Sequence, residues 1–404
     1  MNVFRDRMLI NVAAFLRSFG VGLMGVVLGV YLSRSGYSSF RIGVVVAVGL
    51  AGSALATTAV GLAADRVGRK RFLIALSLLS ILGGLALYES LYFPILLVLV
   101  FLGMLNGTGT ERSAIFALEQ AMIPGLSSDV RRTWNLAFYN VLIDSGGSLG
   151  ALSAGLPVIL HHHFGFSLVR AYQSLFLGYS AVYVLVSGLY LLLSPDVEVV
   201  PPPGRPSGFV SRETKSIIGR LTALFSLDAF GGGFLTDALV AYWFFKRFGL
   251  SEADLGLVFF VVHVLNALSH LGAAWLARRI GLVNTMVFTH LPSSLLLIGV
   301  PFAPSAKIAI LLFLLREALV EMDVPTRQSY VAGLVSPQER SFASAVTNVA
   351  RNVCWAIGSA VAGSLMQNLA FSAPLIVGGS VKITYDLALY RSFRRIRPPE
   401  ERQP

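Results

Sequence analysis

Apolar residues fill this chain in long blocks separated by short polar segments. Spanning the hydrocarbon core of a bilayer takes about 20 apolar residues. Blocks on that scale occur at 9 to 32, 42 to 64, 72 to 91, 94 to 118, 134 to 160, 171 to 193, 218 to 245, 255 to 277, 283 to 303, 306 to 324, 342 to 369 and 374 to 392. The pattern predicts an all-α membrane protein with twelve transmembrane helices. One segment interrupts it. Ser194 to Ser216 carries Pro195, Pro201, Pro202, Pro203 and Pro206 together with Arg205, Arg212 and Lys215, and reads as a non-helical cytoplasmic linker. The expected organisation is an N-terminal six-helix half (1–193), the linker (194–216), and a C-terminal six-helix half with a basic tail (217–404).

If the halves are repeats, residues should recur at a fixed shift. Gly20, Gly36, Gly43 and Gly68 recur as Gly233, Gly249, Gly256 and Gly281, each 213 positions on. Gln120, Gly125, Leu126, Arg132, Asn140, Gly150 and Gly155 recur as Gln328, Gly333, Leu334, Arg340, Asn348, Gly358 and Gly363, each 208 on. A constant register across both halves implies two parallel six-helix repeats.

Composition overrules the two or three soluble domains that 404 residues would otherwise suggest. The chain is 55% hydrophobic and 13% charged, with a mean hydropathy of +0.72. A formal charge of +11 and a pI near 10.0 could point to nucleic acid, but the basic residues lie in short loops and act instead as topology determinants. Of 32 Lys and Arg, 21 fall in cytoplasmic segments if the N-terminus is inside. Six fall outside (Arg34, Arg41, Arg170, Lys246, Arg247, Lys307) and five within spans (Arg17, Arg112, Arg316, Arg351, Lys382). Both termini are therefore expected in the cytoplasm, with the chain multi-pass in the plasma membrane. The apolar run from Leu9 is too long for a signal-peptide core and is taken as the first span. Cys354 is the sole cysteine, which excludes intramolecular disulfides and a cysteine-based metal cluster.

Between the second and third blocks stands GLAADRVGRKR, Gly61 to Arg71. The Gly68 turn reverses the chain, Asp65 can pair with an arginine or a helix N-terminus, and the basic tail holds the loop on the cytoplasmic side. The stretch resembles the loop-2/3 motif of the major facilitator superfamily, matched at Gly61, Asp65, Arg66, Gly68, Arg69 and Lys70. A degenerate copy follows at Ala274 to Gly281, where Arg278 replaces the aspartate and Arg279 and Gly281 persist. The stretch from Met322, MDVPTRQSY followed by SPQERSFASAVTNVARN, is also similar to loop 10/11 of bacterial permeases of this superfamily. The resemblance implies a secondary transporter in which helices 1, 4, 7 and 10 line a central cavity and helices 2, 5, 8 and 11 form the contact between halves. It further implies that Asp65, Arg69 and Glu119, with Arg131, Arg132, Glu321, Asp323, Arg327, Glu339 and Arg340, form a cytoplasmic charge network.

An ionisable side chain deep in a span costs about 2.5–3.5 kcal/mol on insertion scales, so each needs a partner, water or a function. On the cavity helices these residues are Arg17, Asn106, Glu111, Arg112, Asp228, Asp237, Arg316 and Glu317. Arg17 either holds an anionic group with its forked donors or forms an internal pair with Glu111 or Asp228. Glu111 and Arg112 are adjacent, about 100° apart on a helix, and so are Arg316 and Glu317. Asp228, just before Gly231 to Gly233, is either a proton-loading carboxylate or a fixed salt-bridge partner. On the contact helices, Asn348, Arg351, Asn352 and Trp355 form a polar stripe, matched by Asn140 and Asp144 in the first half. His263, Asn266 and His270 line the eighth block, and Asp144 and His270 are a candidate proton-sensitive latch. His161 to His163 read as a hydrated surface tract, and no metal or cofactor is expected.

The predicted function is alternating-access secondary transport, proton-coupled export of small organic compounds, in the bilayer; the sequence does not specify the oligomeric state, and a monomer is the default. The export direction rests on apolar and aromatic residues of the cavity helices: Phe15, Phe19, Phe230, Phe234, Tyr242 and Trp243. Uptake of an organic anion through Arg17 and Arg316 is the alternative, and a non-transporting sensor or scaffold is the rival of another class. No Walker A, G-x-S-x-G or H-E-x-x-H element occurs, so neither ATP hydrolysis nor an enzyme is indicated.

Overall fold

The computed structural model describes residues 2–89, 92–105, 107–110, 113–123, 125–127, 132–198, 212–335 and 340–396. Among them there are helices and connecting turns but no strand, as expected for a backbone that must satisfy its own hydrogen bonds inside lipid. The helices are α1 (Asn2–Arg34), α2 (Ser39–Val67), α3 (Arg69–Tyr88), α4 (Phe93–Leu102), α5 (Ala114–Met122), α6 (Arg132–Leu152), α7 (Leu156–Phe164) and α8 (Leu168–Leu191). They continue as α9 (Arg212–Gly233), α10 (Asp237–Phe248), α11 (Glu252–Ile280), α12 (Leu282–Gly299), α13 (Ala306–Val320), α14 (Asp323–Leu334), α15 (Arg340–Asn368) and α16 (Ala373–Phe393). Large apolar side chains such as Leu62, Leu185, Leu268 and Leu271 stand exposed on helix surfaces, the arrangement of a chain solvated by lipid.

Several spans are not single rods. The fourth is α4 and α5, separated by residues that carry Gly103, Gly107 and Gly109. Met104 and Gly109 there have positive φ, 52° and 72°. The seventh is α9 and α10, parted after Gly231–Gly233, and the tenth is α13 and α14. The continuous helices expected over 94 to 118 and 218 to 245 are thus broken where glycines lower helix propensity. In the linker region Pro195–Val197 forms a short 3₁₀ turn and 199–211 lie outside the described residues, while Arg212 to Ser216, expected as non-helical linker, already form the first turn of α9.

The glycine repeat has a structural meaning. Gly36 and Gly249 end equivalent helices at φ 83° and 68°, and Gly68 and Gly281 join consecutive helices at φ 116° and 87°. A side chain is strained in that region, which keeps glycine at both copies. Gly150 on α6 faces the Phe19 carbonyl of α1, and its repeat mate Gly358 on α15 faces the Phe230 carbonyl of α9. The same pair of helices therefore packs closely in each half, backbone against backbone through small residues.

The chain divides into two compact units. The first comprises Met1–Pro201 with Thr236–His263, and the second Pro202–Leu235 with Val264–Pro404. Their boundary at 235/236 runs through the break in the seventh span, so α9 belongs to the second unit and α10 to the first. In the first unit, α1 crosses α6 and α10, with Gly22 against the Gly147 carbonyl and Gly29 against the Ala238 carbonyl. In the second, Ile218, Phe225, Met286, Tyr330, Leu389 and Phe393 form a core shared by α9, α12, α14 and α16. Gly22→Val should lower the Tm in detergent by several degrees, corresponding to about 1–3 kcal/mol of overpacking. Gly188→Ala, where an added methyl meets no atom within 4 Å, should leave it unchanged or raise it. Differential scanning fluorimetry of the two variants checks this.

Candidate functional site

Ionisable residues gather at two places in the second unit and the first, and each begins with a side chain that its helix aims into neighbouring helices. In the second unit α9 presents Asp228 one turn before Gly231, and Gly231 lets α16 approach until the Lys382 stem and the Gly378 carbonyl lie against it. Lys382 Nζ donates to Asp228 Oδ1 at 2.7 Å. Arg327 of α14 donates through Nη1 to Asp228 Oδ2 at 3.3 Å and to Asp323 Oδ2 at 2.8 Å. Arg351 of α15 reaches the same Asp228 oxygen at 3.8 Å. On α12, His290 Nδ1 lies 2.9 and 3.0 Å from the two oxygens of Asp386, and Nε2 lies 3.3 Å from Lys382 Nζ and 3.7 Å from Asp228 Oδ1.

Chemistry assigns the imidazole tautomer. An ammonium has only donors, so Nε2 facing Lys382 accepts through its lone pair and Nδ1 carries the hydrogen donated to Asp386. With His290 as this tautomer, three carboxylates (Asp228, Asp323, Asp386) face three cations (Lys382, Arg327, Arg351). Asp228, His290, Lys382, Asp386, Arg327 and Asp323 are all buried. The imidazole is the one member whose ordinary charge change falls in the physiological pH range.

The first unit holds a different arrangement. Arg17 of α1 and Glu119 of α5 are both 0% exposed and bond directly to each other. The Glu119 carboxylate also accepts from Tyr139 of α6 at 2.8 Å and from Tyr190 of α8 at 2.6 Å, while Arg17 Nη1 donates to Ser113 Oγ at 3.3 Å. This carboxylate is saturated by strong donors, so the pair is a pin joining α1, α5, α6 and α8. Further along the same unit, Arg34 grips Glu252 through two bonds of 2.6 and 3.2 Å, Tyr172 donates to the same carboxylate, and the Arg34 guanidinium lies 4.8 Å from the Phe245 ring.

These positions correct several expectations. Arg17 is paired with Glu119 rather than with Glu111 or Asp228. Glu119, expected in a cytoplasmic charge network, is buried because α5 restarts after the glycine break and faces α1, α6 and α8. Asp323 and Arg327, expected among solvated loop charges, are buried against Asp228 because α14 extends the tenth span. Arg316 and Glu317 bond to each other, both buried. Asp237 opens α10 with one oxygen 3.4 Å from His263 Nε2, and the next amide, of Ala238, donates to the Gly107 carbonyl at 2.9 Å. Phe234, Tyr242 and Trp243, read as cavity lining, are buried. Asn106, Glu111 and Arg112 lie outside the described residues, as do Arg131 and Glu339.

Asp144 is half-buried in the first unit and His270 half-buried in the second. On α15, Asn348 is exposed and Asn352 half-buried, while Arg351 turns to Asp228. In the loop-2/3 motif, Gly61 is exposed, and among the described residues an added Cβ there meets nothing within 4 Å. Arg66 is exposed. Arg69 bonds Asp65 at 2.8 Å and reaches the Ala121 carbonyl at 3.4 Å. Lys70 Nζ donates to the Leu193 carbonyl at 2.6 Å, and Glu198 accepts from the backbone amides of Arg69 and Lys70 at 2.6 and 3.1 Å, capping α3 beyond the Gly68 turn. Buried Asp6 holds Ser194 alongside through its amide at 3.1 Å and its hydroxyl.

His290, Asp386, Glu252, Tyr139 and Tyr190 escaped the sequence reading. The signal for the first two was available, since any ionisable residue deep in an apolar block calls for a partner, but they stand on helices to which the resembled fold assigns neither the cavity nor the contact between halves. The tyrosines carried no such signal. The pin itself is testable. Glu119→Leu removes the carboxylate that balances the buried Arg17 charge and should cost about 3–5 kcal/mol, whereas Arg17→Met combined with Glu119→Leu should recover most of it. Fluorescence-detected thermal melts of the single and double variants read the difference.

The family profile of the Major Facilitator Superfamily matches residues 10–320. An uncharacterized membrane protein of Saccharomyces cerevisiae is 27% identical over 417 residues, covering 95% of this chain and 93% of the yeast protein. Among solved structures, a D-xylose-proton symporter superposes with a TM-score of 0.75 at 14% identity, covering 98% of both chains. The nucleoside transporter NupG superposes with a TM-score of 0.70 at 13% identity, covering 98% of this chain and all of that one. At such identities the superpositions establish a common fold.

Proposed function

The chain belongs to the Major Facilitator Superfamily and is a multi-pass membrane transporter rather than an enzyme, and from that premise we propose that it couples proton movement to the export of small organic compounds by alternating access. The observation that carries the coupling is the buried, charge-balanced set around Asp228, in which neutral His290 offers a basic nitrogen. A proton reaching His290 Nε2 forms a new N–H bond there and removes the acceptor that Lys382 uses. The resulting imidazolium is flanked by Asp386 on one side and Asp228 on the other. The balanced cluster then carries one excess positive charge in a region of low dielectric, which destabilises the present packing of α9, α12, α14 and α16 relative to one in which the cluster opens.

For the substrate, engagement of both candidate anion-holding arginines argues against an obligatory anionic group. Arg17 is held by Glu119 and Arg316 by Glu317. Small organic compounds without such a group are the favoured cargo, and outward movement is the favoured direction, on the apolar character of Phe15, Phe19 and Phe230, each half-buried. The proposed topology puts both termini in the cytoplasm, on the excess of Lys and Arg in the segments that would then lie inside, and the proposed location is the plasma membrane.

Proteoliposomes with an imposed pH gradient test this, using tetraphenylphosphonium, D-xylose and benzoate as probes. Gradient-driven movement of one of the first two is expected, and His290→Gln should reduce the gradient-driven component at least tenfold while sparing binding in a thermal-shift assay. Flux indifferent to the gradient in the unaltered protein would overturn proton coupling. Driven movement of benzoate alone would favour anion uptake, and binding without movement would indicate a sensor.

A further inference from the structure

Tyr385 is fully buried on α16, one residue before Asp386, and among the described residues its hydroxyl has no hydrogen-bond partner. Its ring stands edge-on to His290, with centroids 5.9 Å apart and planes at 88°, and packs against Phe225 at 6.5 Å. The carboxylates of Asp323, Asp228 and Asp386 and the guanidinium of Arg327 all act on this phenol electrostatically. A buried O–H without an acceptor costs roughly 1–3 kcal/mol of desolvation, so a native structure that retains one within the field of three carboxylates calls for an explanation.

The arrangement of Arg327 supplies one. A single nitrogen of that side chain, Nη1, serves both Asp228 and Asp323. Once His290 is protonated, Asp228 is held by the imidazolium together with Lys382 and Arg351, and the excess charge is relieved when Arg327 withdraws. Withdrawal would strip Asp323 of its donor, and a bare buried carboxylate is costly. The other charged or titratable groups facing the cluster are Lys382 and Asp386 from α16, Arg351 from α15, Asp228 from α9, and Glu321 through its effect on Arg327. Of these groups none combines a free donor with neutrality.

We propose that Tyr385 is a positioning residue for the proton-coupled step, a reserve donor whose hydroxyl takes over Asp323 when Arg327 lets go. Only a hydrogen bond is exchanged: the proton gained by the cluster stays on His290 Nε2 and the phenol keeps its own. Tyr385 thereby stabilises the protonated state and contributes nothing to the neutral one. This inference rests on His290 as the proton acceptor.

The test compares the full-length chain, Tyr385→Phe and His290→Gln in reconstituted membranes, following pH-jump infrared difference spectra, with thermal melts run at alkaline pH. In the unaltered protein, acidification should produce a tyrosine C–O band shift together with histidine protonation. Tyr385→Phe should lose that band. Its protonation midpoint should move about one unit to lower pH, because the protonated state alone has lost a bond to a charged acceptor. Its alkaline Tm should be unchanged or higher, as removal of an unbonded hydroxyl requires. An unaltered midpoint in Tyr385→Phe, or a fall in its alkaline Tm that reveals a bond already made, overturns the role of Tyr385 alone. A protein that takes up no proton between about pH 5 and 8, or an unchanged titration in His290→Gln, overturns the proton acceptor and this inference with it.

Discussion

A carboxylate withdrawn from water must be surrounded by donors, and inside a bilayer only the protein can supply them. That requirement organises both units of this transporter. Asp228 draws Lys382, Arg327, Arg351 and His290 from four helices onto two oxygens, and Glu119 draws Arg17, Tyr139 and Tyr190 from three. The apolar packing around them is non-directional and would tolerate other helix arrangements, since helices gain little from burying one apolar surface against another when lipid is equally apolar. The buried acids impose the direction: a helix displaced from its place leaves an ion uncompensated.

The two carboxylates are satisfied by different chemistry, and the difference separates a fixed element from a variable one. Around Glu119 the donors are a guanidinium and two phenols, none of which changes protonation near neutral pH. Around Asp228 one of the partners is an imidazole, itself oriented by Asp386. The Arg34 to Glu252 contact belongs with the fixed set, because a bidentate guanidinium and a tyrosine hold its carboxylate. Solvated pairs such as Asp65 with Arg69 contribute far less, since the Asp65 side chain is 58% exposed and water competes for it.

Much of this was written in the chain at the level of pattern. Block length predicted the spans, and the 213-residue glycine register marked positions that turn out to share positive φ or close helix contact. Residue type alone flagged Arg17 and Asp228 as buried charges in need of partners. The partners themselves were not legible, because the expectation of unbroken helices put Glu119 and Arg327 near the cytoplasmic surface. The interruption between α4, which ends at Leu102, and α5, which begins at Ala114, and a second helix segment after Met322 redirect and lengthen those spans enough to bury both. Helical-wheel reasoning is only as good as the continuity of the helix. His290 and Asp386 illustrate a separate failure: they stood in plain view as ionisable residues within apolar blocks, on helices to which the resembled fold assigns no cavity role.

The break in the seventh span gives the Asp228 cluster its reach. Asp228 lies three residues before the Gly231–Gly233 run, and four residues beyond that run the chain has entered the other compact unit as α10. On the α9 side the chain is fastened by Asp228 to the cations of the second unit. On the α10 side it is fastened by Asp237 near His263 and by the Ala238 amide on the Gly107 carbonyl of the first. A glycine run between two anchored segments is the place where a helix yields at least cost in backbone energy. The Asp228 cluster therefore lies one turn from the point of the seventh span that deforms at least cost.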